Sequence, residues 1–162
     1  MKAKEKKAKP TRKKRLKTLE DEAAIRTLVA RFTDTFITSD VEEFKTLWTK
    51  EGNWVIQHPN SQSSEGIANI SDMFIALKRQ SDFIVQFAQS GVIKIDGNKA
   101  TARWVMHEVS KGAGKTYHQN YGLYIDVMKK SKGNWRFVKR DYHFLWVNDL
   151  PFTGDLFPYL LT

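Results

Sequence analysis

Apolar side chains recur at three- and four-residue steps through much of the first half of the chain and alternate with polar ones through the second half. The helical spacing predicts a first helix over residues 18–37, with acidic residues in its first turn where the helix dipole favours them. Ser39-Asp40 begins a second, short helix, and residues 66–78 form a third. The alternating stretches at residues 53–58 and 83–95 predict strands.

A meander of three antiparallel strands follows between residues 94 and 138. Valine, isoleucine, tyrosine, tryptophan and threonine alternate along it, and glycine-containing turns at residues 96–98, 111–114 and 132–134 separate the strands. One face of these strands carries polar and aromatic side chains where a plain core would carry aliphatic ones. The pattern therefore predicts a lined cavity.

The order helix, helix, strand, helix and four strands predicts an α+β fold in which the helices cover one face of an antiparallel sheet. With 162 residues, of which 41% are hydrophobic, the chain can build one domain with a sizeable core. We expect that domain to span residues 18–150. Residues 151–162 are too apolar for a free end, so we expect them to pack over the domain or a partner.

The net charge of +9 lies in the first 17 residues, which hold ten of the 27 basic residues and one of the 18 acidic ones. Residues 1–17 are therefore predicted to be a disordered, solvated basic tail, while the rest of the chain is neutral. The alternative is that this tail is a nuclear address or an arm on nucleic-acid phosphates. We expect no other nucleic-acid contact.

The chain contains no cysteine, which excludes disulfides, thiolate metal sites and thiol nucleophiles. Its four histidines are scattered without metal-ligand spacing. We therefore expect no metal and no cofactor. Since no apolar segment follows the basic tail, we expect neither a secretory signal nor a membrane anchor. A cytoplasmic location is expected, or a nuclear one in a eukaryote.

Strand alternation places Glu108 and His118 on the face that lines the cavity. If Ser110 lies opposite Thr116, then Glu108 lies opposite His118, and the two form an acid/base pair. Our catalytic hypothesis makes His118 the base and lets Glu108 orient it or donate a proton. The alternative is a cross-strand salt bridge at the open end of the hairpin.

Other side chains on the same face are candidates for ligand contacts. The rings of Trp104 and Tyr124 would give the cavity its shape, although core packing explains them nearly as well. Asn120 is a stronger candidate because a buried amide needs partners. His58 is either a ligand at the rim or an exposed loop residue. Tyr142 could donate a hydrogen bond inward.

If Val127 lies opposite Trp135, the last strand turns Val138, Arg140, Tyr142 and Phe144 inward. Arg140 would bind an acidic substrate or, as a better explanation, pair with Asp34 or Asp40. In the same register, Asp126 would form a salt bridge with Arg136.

Several segments together resemble the SnoaL-like branch of the nuclear transport factor 2 superfamily, over roughly residues 20–146. They are Ile25-Arg26-Thr27-Leu28 to Phe32, then Ile95-Asp96-Gly97 to Ala102-Arg103-Trp104, then Gly122-Leu123-Tyr124-Ile125-Asp126, and finally Gly133-Asn134-Trp135. The resemblance implies a cone-shaped α+β barrel, in which three N-terminal helices lie against a strongly curved antiparallel sheet. Within the branch, the chain is most similar to dehydratases of the scytalone and bile-acid type, which need no cofactor.

Such dehydratases use a tyrosine, an aspartate, a histidine and, in some members, a strand acid. The corresponding positions here are Phe32 or Phe36, then Ile37, Gln86 and Glu108, so only the strand acid is matched. The resemblance implies a relative with a rebuilt pocket: a lyase or isomerase acting by acid/base chemistry on a hydrophobic, oxygenated ring compound. The alternative is a non-catalytic ligand-binding or assembly module. Relatives often dimerise through the outer sheet face, where Val105, Tyr121 and Leu123 are expected.

Overall fold

The computed structural model describes residues 11–112, 114 and 116–155. Its helices and strands follow one another along the chain as α1 (Arg12–Thr38), α2 (Val41–Thr46), β1 (Trp48–Ile56), β2 (Gln62–Glu65), α3 (Ile67–Arg79), β3 (Ser81–Asp96), β4 (Lys99–Gly112), β5 (Thr116–Ser131) and β6 (Asn134–Asn148). The predicted α+β class is confirmed. The short strand β2 was missed, because its polar sequence has the composition of a loop.

The described strands form one six-stranded sheet in the order β2-β1-β6-β5-β4-β3. Strand β1 runs parallel to β6, whereas the remaining neighbours pair in antiparallel fashion. The expectation of a purely antiparallel sheet is therefore wrong at this one junction. The alternation of apolar and polar residues shows which face of the sheet a side chain occupies, but not whether two neighbouring strands run in the same direction. The chain forms β3, β4 and β5 before it reaches β6, the neighbour of β1.

Helix α1 begins at Arg12, six residues before the predicted start, and the Thr11 side chain caps it by accepting a hydrogen bond from the Lys14 amide. The lysines and arginines of this first segment are good helix formers, so the helix extends into the basic tail. The predicted disorder is thus wrong for residues 12–17, while residues 1–10 lie outside the described residues. The predicted start of α2 is confirmed, since the Asp40 carboxylate caps it through the Glu43 amide at 2.8 Å.

The core lies between the helices and the concave face of the sheet. Phe32 of α1 is its centre, with ring centroids at 5.4 to 6.3 Å from those of Phe36, Phe44, Trp48, Trp54, Tyr124 and Phe137. Asp21 ties the other end of α1 to the sheet, since its Oδ1 accepts from Lys130 Nζ at 2.5 Å and from Trp135 Nε1 at 3.0 Å. Burial opposes ionisation of this carboxyl, but the two hydrogen bonds hold its pKa below the ordinary value.

The β4–β5 hairpin closes two residues tighter than predicted, with Gly112 opposite Thr116. Glu108 therefore lies opposite Asn120 instead of His118, and Ser110 lies opposite His118. A shift of two residues keeps every side chain on its predicted face. The predicted faces are thus confirmed, while the predicted cross-strand pair is wrong.

Strand pairing is also irregular between Val127 and Met128 of β5. The irregularity changes which residues of β6 point inward, so that Phe137 is fully buried in place of the predicted Val138. It also brings Arg140 opposite Asp126. The predicted partner of Asp126, Arg136, is wrong mainly because the β5–β6 hairpin closes tighter than predicted: Trp135 lies opposite Lys130 instead of Val127, and the irregularity adds one further residue to the shift.

Near the C-terminus, the Phe152 ring packs against Tyr117 with centroids 5.0 Å apart. The remainder of the predicted apolar tail, residues 156–162, lies outside the described residues. Within the described ranges, none of the helices is long and apolar enough to span a membrane.

Candidate active site

A cavity lies between the concave face of the sheet, helix α3 and the segment that follows β1. Its wider part, the outer cavity, encloses about 690 Å³, and a narrower part, the inner chamber, encloses about 80 Å³. Six residues line both parts: Asn60, Gln62, Leu77, Ile84, Glu108 and Phe144. The inner chamber adds Phe36, Trp54, Ile56, Gln86, Tyr124 and Tyr142. The outer cavity has the size of a small-molecule site.

Glu108 of β4 stands where the two parts meet. Its Oε2 accepts a hydrogen bond from Gln86 Nε2 at 2.6 Å, and its Oε1 accepts one from Asn120 Nδ2 at 3.3 Å. Burial raises the pKa of this carboxyl, while the two amides and the nearby His118 act in the opposite direction. A carboxyl with a raised pKa that faces a cavity is a candidate for proton transfer to or from a ligand.

Asn120 extends this hydrogen-bond chain to β6, because the Tyr142 hydroxyl donates to Asn120 Oδ1. Tyr142 itself lies directly over Gly122, where an added Cβ would come within 2.4 Å of the phenol. Only a residue without a side chain lets the phenol approach Asn120 here. The glycine of β5 therefore positions a tyrosine of β6.

Tyr124 forms the second polar group of the inner chamber. Its hydroxyl accepts a hydrogen bond from Trp54 Nε1 at 3.2 Å. Burial raises the pKa of Tyr124, although the Arg140 guanidinium, 3.8 Å from the ring centroid, opposes the shift. The phenol therefore stays neutral and remains a hydrogen-bond donor.

His118 lines the outer cavity together with Glu108. Because it lies opposite Ser110, it is a diagonal neighbour of Glu108, at roughly 7–8 Å between Cα atoms. No hydrogen bond or ion pair joins the two side chains among the described contacts. The predicted direct pair is therefore not formed, but both groups face the same space.

Seven of the ten residues predicted for the site line the cavity: Phe36, Gln86, Glu108, His118, Asn120, Tyr124 and Tyr142. The other three do not. Trp104 is buried in the core over Gly91, where an added Cβ would lie 2.1 Å from the indole. Phe32 is buried under the rings around it, and His58 is exposed beside the cavity.

Sequence reasoning missed the polar side chains Asn60, Gln62 and Ser110. The first two lie just after Pro59, where the chain passes from β1 into β2 along the cavity. The Pro-Asn dipeptide signals a turn, but nothing in the sequence shows which way that turn faces. Ser110 was placed on the correct face but was assigned to the hairpin end.

Arg140, for which an acidic ligand or Asp34 or Asp40 was considered, pairs with Asp126 instead. Both side chains are completely buried beneath the inner chamber. Burial raises the pKa of Asp126, and the guanidinium opposes that shift. Among the described residues, no three His, Asp or Glu side chains form a cluster that could hold a metal ion.

Residues 17–141 match the family model of the SnoaL-like domain. No curated protein sequence matches the chain.

Solved structures share its fold at low sequence identity. LinA type 2, a hexachlorocyclohexane dehydrochlorinase, gives a TM-score of 0.80 at 14% identity, covering 90% of this chain and 99% of that one. A candidate scytalone dehydratase from Novosphingobium aromaticivorans gives 0.75 at 16% identity, covering 85% and 92%. An NTF2-like protein with a cystatin-like fold, also from Novosphingobium aromaticivorans, gives 0.69 at 24% identity, covering 81% and 86%. The curved six-stranded sheet with its N-terminal helices is consistent with this fold.

Proposed function

The chain belongs to the family of SnoaL-like domains in the NTF2-like fold, and from this premise we propose that it is a lyase or isomerase acting on a small oxygenated ring compound. The observation that carries the proposal is the position of Glu108. Its carboxyl is held by two amide donors at the junction of two connected cavities, and its pKa is raised. The family and its dehydrochlorinase and dehydratase neighbours support a small-molecule role, whereas the chemistry rests on this residue.

In the proposed step, the Glu108 carboxylate removes a proton from a carbon next to a ring carbonyl. The electron pair of that C–H bond forms a carbon–carbon double bond as a C–O bond breaks at the neighbouring carbon. The departing oxygen takes a proton from the His118 imidazolium, and water leaves. In an isomerisation no C–O bond breaks: the electron pair of the C–H bond passes into the enolate of the carbonyl group, and the proton returns from Glu108 to another carbon of that conjugated system. This assignment exchanges the roles expected from the sequence, because Glu108 lies deeper than His118.

Proton balance is restored when Glu108 passes its proton to His118 through the cavity. Both groups line the outer cavity, so a single bridging water or ligand hydroxyl can connect them. Glu108 and His118 are thus the two side chains that carry the protons in the proposed step.

A specific observation favours the alternative, a non-catalytic binding module. Both oxygens of Glu108 already accept hydrogen bonds from neutral amides, which is how a structural carboxylate is satisfied. In that case, ligands would bind without being changed. Turnover and binding must therefore be measured separately.

The test uses 3-hydroxycyclohexanone, whose loss of water gives a conjugated enone that absorbs in the ultraviolet. Proton removal without elimination is followed by NMR as deuterium uptake next to the carbonyl in D₂O. Glu108→Gln should abolish both signals, and His118→Gln should reduce enone formation more than deuterium uptake. The matched controls are Glu51→Gln and His58→Gln, which change exposed residues outside the cavity.

Full deuterium uptake by Glu108→Gln would refute the catalytic assignment. If the unchanged protein binds such ketones, measured by calorimetry, yet neither exchanges nor dehydrates them, the binding module replaces the enzyme as the function.

We also propose that a second copy of the chain packs on the outer sheet face. A row of rings crosses four strands there: Phe87, His107, Tyr121 and Trp146, with neighbouring centroids 4.7 to 6.0 Å apart. Phe87, Tyr121 and Trp146 are 50%, 41% and 48% exposed. An exposed row of rings of this kind suits a self-complementary contact between two copies of the chain. Light scattering should give twice the 18.8 kDa mass, and Tyr121→Lys should halve it.

A further inference from the structure

A second cleft lies far from the site described above, where β5 ends and β1 and β6 begin. It encloses about 310 Å³. Of the described residues that line it, three are basic, two carry a hydroxyl group, one is a buried tryptophan and none is acidic. They are Lys50, Lys129, Arg136, Thr49, Ser131 and Trp48. We call this the basic cleft.

Strand register brings the positive charges together. Lys129 of β5 lies opposite Arg136 of β6 and, on its other side, opposite Lys99 of β4. Each of the three has a buried residue next to it along its strand, so all three project from the outer face of the sheet. Like charges directly opposite one another destabilise a sheet. A row of three basic residues therefore favours binding of an anion that neutralises it.

The acidic side chains of the described residues do not neutralise the cleft. No ion pair joins any of its three basic lining residues to a carboxylate in the described part of the chain. Asp96 lies opposite Lys99 on β3, and Glu51 follows Lys50 on β1, but neither acid lines the cleft. Its positive charge thus remains available to a ligand.

Arg136 supplies the most directional donors. Its Nε donates to the Thr46 carbonyl oxygen at 3.2 Å, which holds the guanidinium in place, and its two terminal nitrogens make no hydrogen bond to a described residue. A guanidinium can bind two oxygens of one phosphate, whereas a lysine ammonium acts as a point charge. The hydroxyls of Thr49 and Ser131 can donate to further oxygens.

This set of donors selects among anions. A carboxylate carries one charge and two oxygens, so it would leave most of the donors unused. The phosphate of a monoester carries close to two charges near neutral pH and three terminal oxygens, which match three cationic groups and two hydroxyls. We propose that the basic cleft is a binding site for a phosphate monoester group. Its volume leaves room for part of the esterified molecule.

The site is separate from the candidate active site. Lys129 lies eleven residues beyond His118 along β5, which is roughly 36 Å of strand at about 3.3 Å per residue. The inference therefore goes beyond the proposed function and does not depend on it. None of the measurements below uses turnover, so failure of the enzyme assignment leaves them unchanged.

The first test is an NMR titration of the complete protein with inorganic phosphate, while sodium chloride keeps the ionic strength constant. We expect saturable shifts of the backbone amides of Thr49, Lys129 and Arg136. Shifts that do not saturate, that chloride alone reproduces, or that are confined to residues 1–17 would overturn the inference.

Variants separate the cleft from the general attraction between a basic chain and an anion. Lys129→Gln should weaken phosphate binding by about tenfold, because it removes the central charge of the row facing a dianion. The matched control is Lys94→Gln, which removes an exposed lysine of β3 outside the cleft and should leave the affinity unchanged. Equal losses in the two variants would refute the site.

Stability gives a second readout that a purely structural lysine would not produce. Without phosphate, Lys129→Gln should melt at the same temperature as the unchanged protein or higher, because it relieves repulsion within the row. Phosphate should raise the melting temperature of the unchanged protein more than that of the variant. A variant that melts lower and responds equally to phosphate would contradict the proposal.

Two further probes distinguish the sources of the phosphate group. Binding of glycerol 3-phosphate without cosedimentation with vesicles of phosphatidylcholine and phosphatidic acid would support a soluble phosphate ester. Cosedimentation that is lost in Lys129→Gln would support a lipid headgroup at the same site. Binding of a single-stranded oligonucleotide, with no response to inorganic phosphate, glycerol 3-phosphate or the vesicles, would refute the site in favour of a general polyanion surface.

Discussion

The buried ion pair between Asp126 and Arg140 provides the sharpest quantitative prediction. Arg140 Nε and Nη2 lie 2.9 and 3.2 Å from the two carboxylate oxygens, and both side chains are fully buried. The guanidinium carbon lies 3.8 Å from the ring centroid of Tyr124, 4.1 Å from that of Phe32 and 4.2 Å from that of Phe137. Water cannot reach either charge in this aromatic environment.

Replacing one partner leaves the other as an uncompensated buried charge. Asp126→Asn removes the negative charge and turns one of the two accepting oxygens into an NH₂ group that faces a guanidinium donor, so one charge-assisted hydrogen bond worth about 1.5–3 kcal/mol is lost and the guanidinium charge stays uncompensated. This agrees with the loss of about 3–5 kcal/mol typical of a broken buried pair. We expect Asp126→Asn and Arg140→Met each to lower the free energy of unfolding by about that amount.

The double variant should lose no more than the worse single one, because removing both charges leaves none unpaired. The assay is urea unfolding followed by the fluorescence of the five tryptophans. The control is Glu42→Gln, which breaks the exposed helical pair of Glu42 Oε1 with Lys45 Nζ at 2.7 Å. It should change the free energy by less than about 0.5 kcal/mol. Additive losses in the double variant, or a loss below about 1 kcal/mol in Asp126→Asn, would refute this reasoning.

Three further predictions concern Gly122, Asp21 and Glu108. Gly122→Ala places a Cβ 2.4 Å from the Tyr142 phenol, so it should cost about 1–3 kcal/mol in urea unfolding and weaken ligand binding. Because the pKa of Asp21 is lowered, its charge stabilises the folded state above pH 3.8, and that contribution is lost as the pH falls through the lowered pKa. Asp21→Asn should therefore be less stable than the unchanged protein at neutral pH, and the difference should shrink in acid. For Glu108 the sign is opposite: its raised pKa favours folding at low pH, so Glu108→Gln should gain stability relative to the unchanged protein as the pH rises above 4.5. Turnover that depends on the carboxylate should rise over the same pH range.

A specific result would refute each of these three predictions. A fully stable Gly122→Ala would show that the phenol is not held against the strand. A stability difference for Asp21→Asn that does not shrink as the pH falls below 3.8 would assign its effect to packing instead of charge. Turnover independent of pH between 4 and 8 would remove Glu108 from the reaction.

The sequence alone determined which residues share a face. Alternation placed Glu108, Asn120 and Tyr124 inward, and that assignment survived a register error because a shift of two residues does not change the face. Local chemistry also determined the start of α2, since the Asp40 cap acts within one turn. Such features depend on neighbours a few residues away along the chain.

Only the tertiary structure decided which inward residues touch each other. The Glu108–Asn120 pair depends on how tightly one hairpin closes, and the Asp126–Arg140 pair depends on the irregular pairing between Val127 and Met128. The parallel contact of β1 with β6 joins segments more than 80 residues apart. Trp104 and Tyr124 were both predicted to face the cavity from the alternation along their strands. Trp104 nevertheless packs over Gly91 in the core, while Tyr124 lines the inner chamber. The alternation along a strand shows on which side of the sheet each side chain lies. The cavity, however, is the space left after the helices and the sheet have packed, and that packing depends on the whole chain.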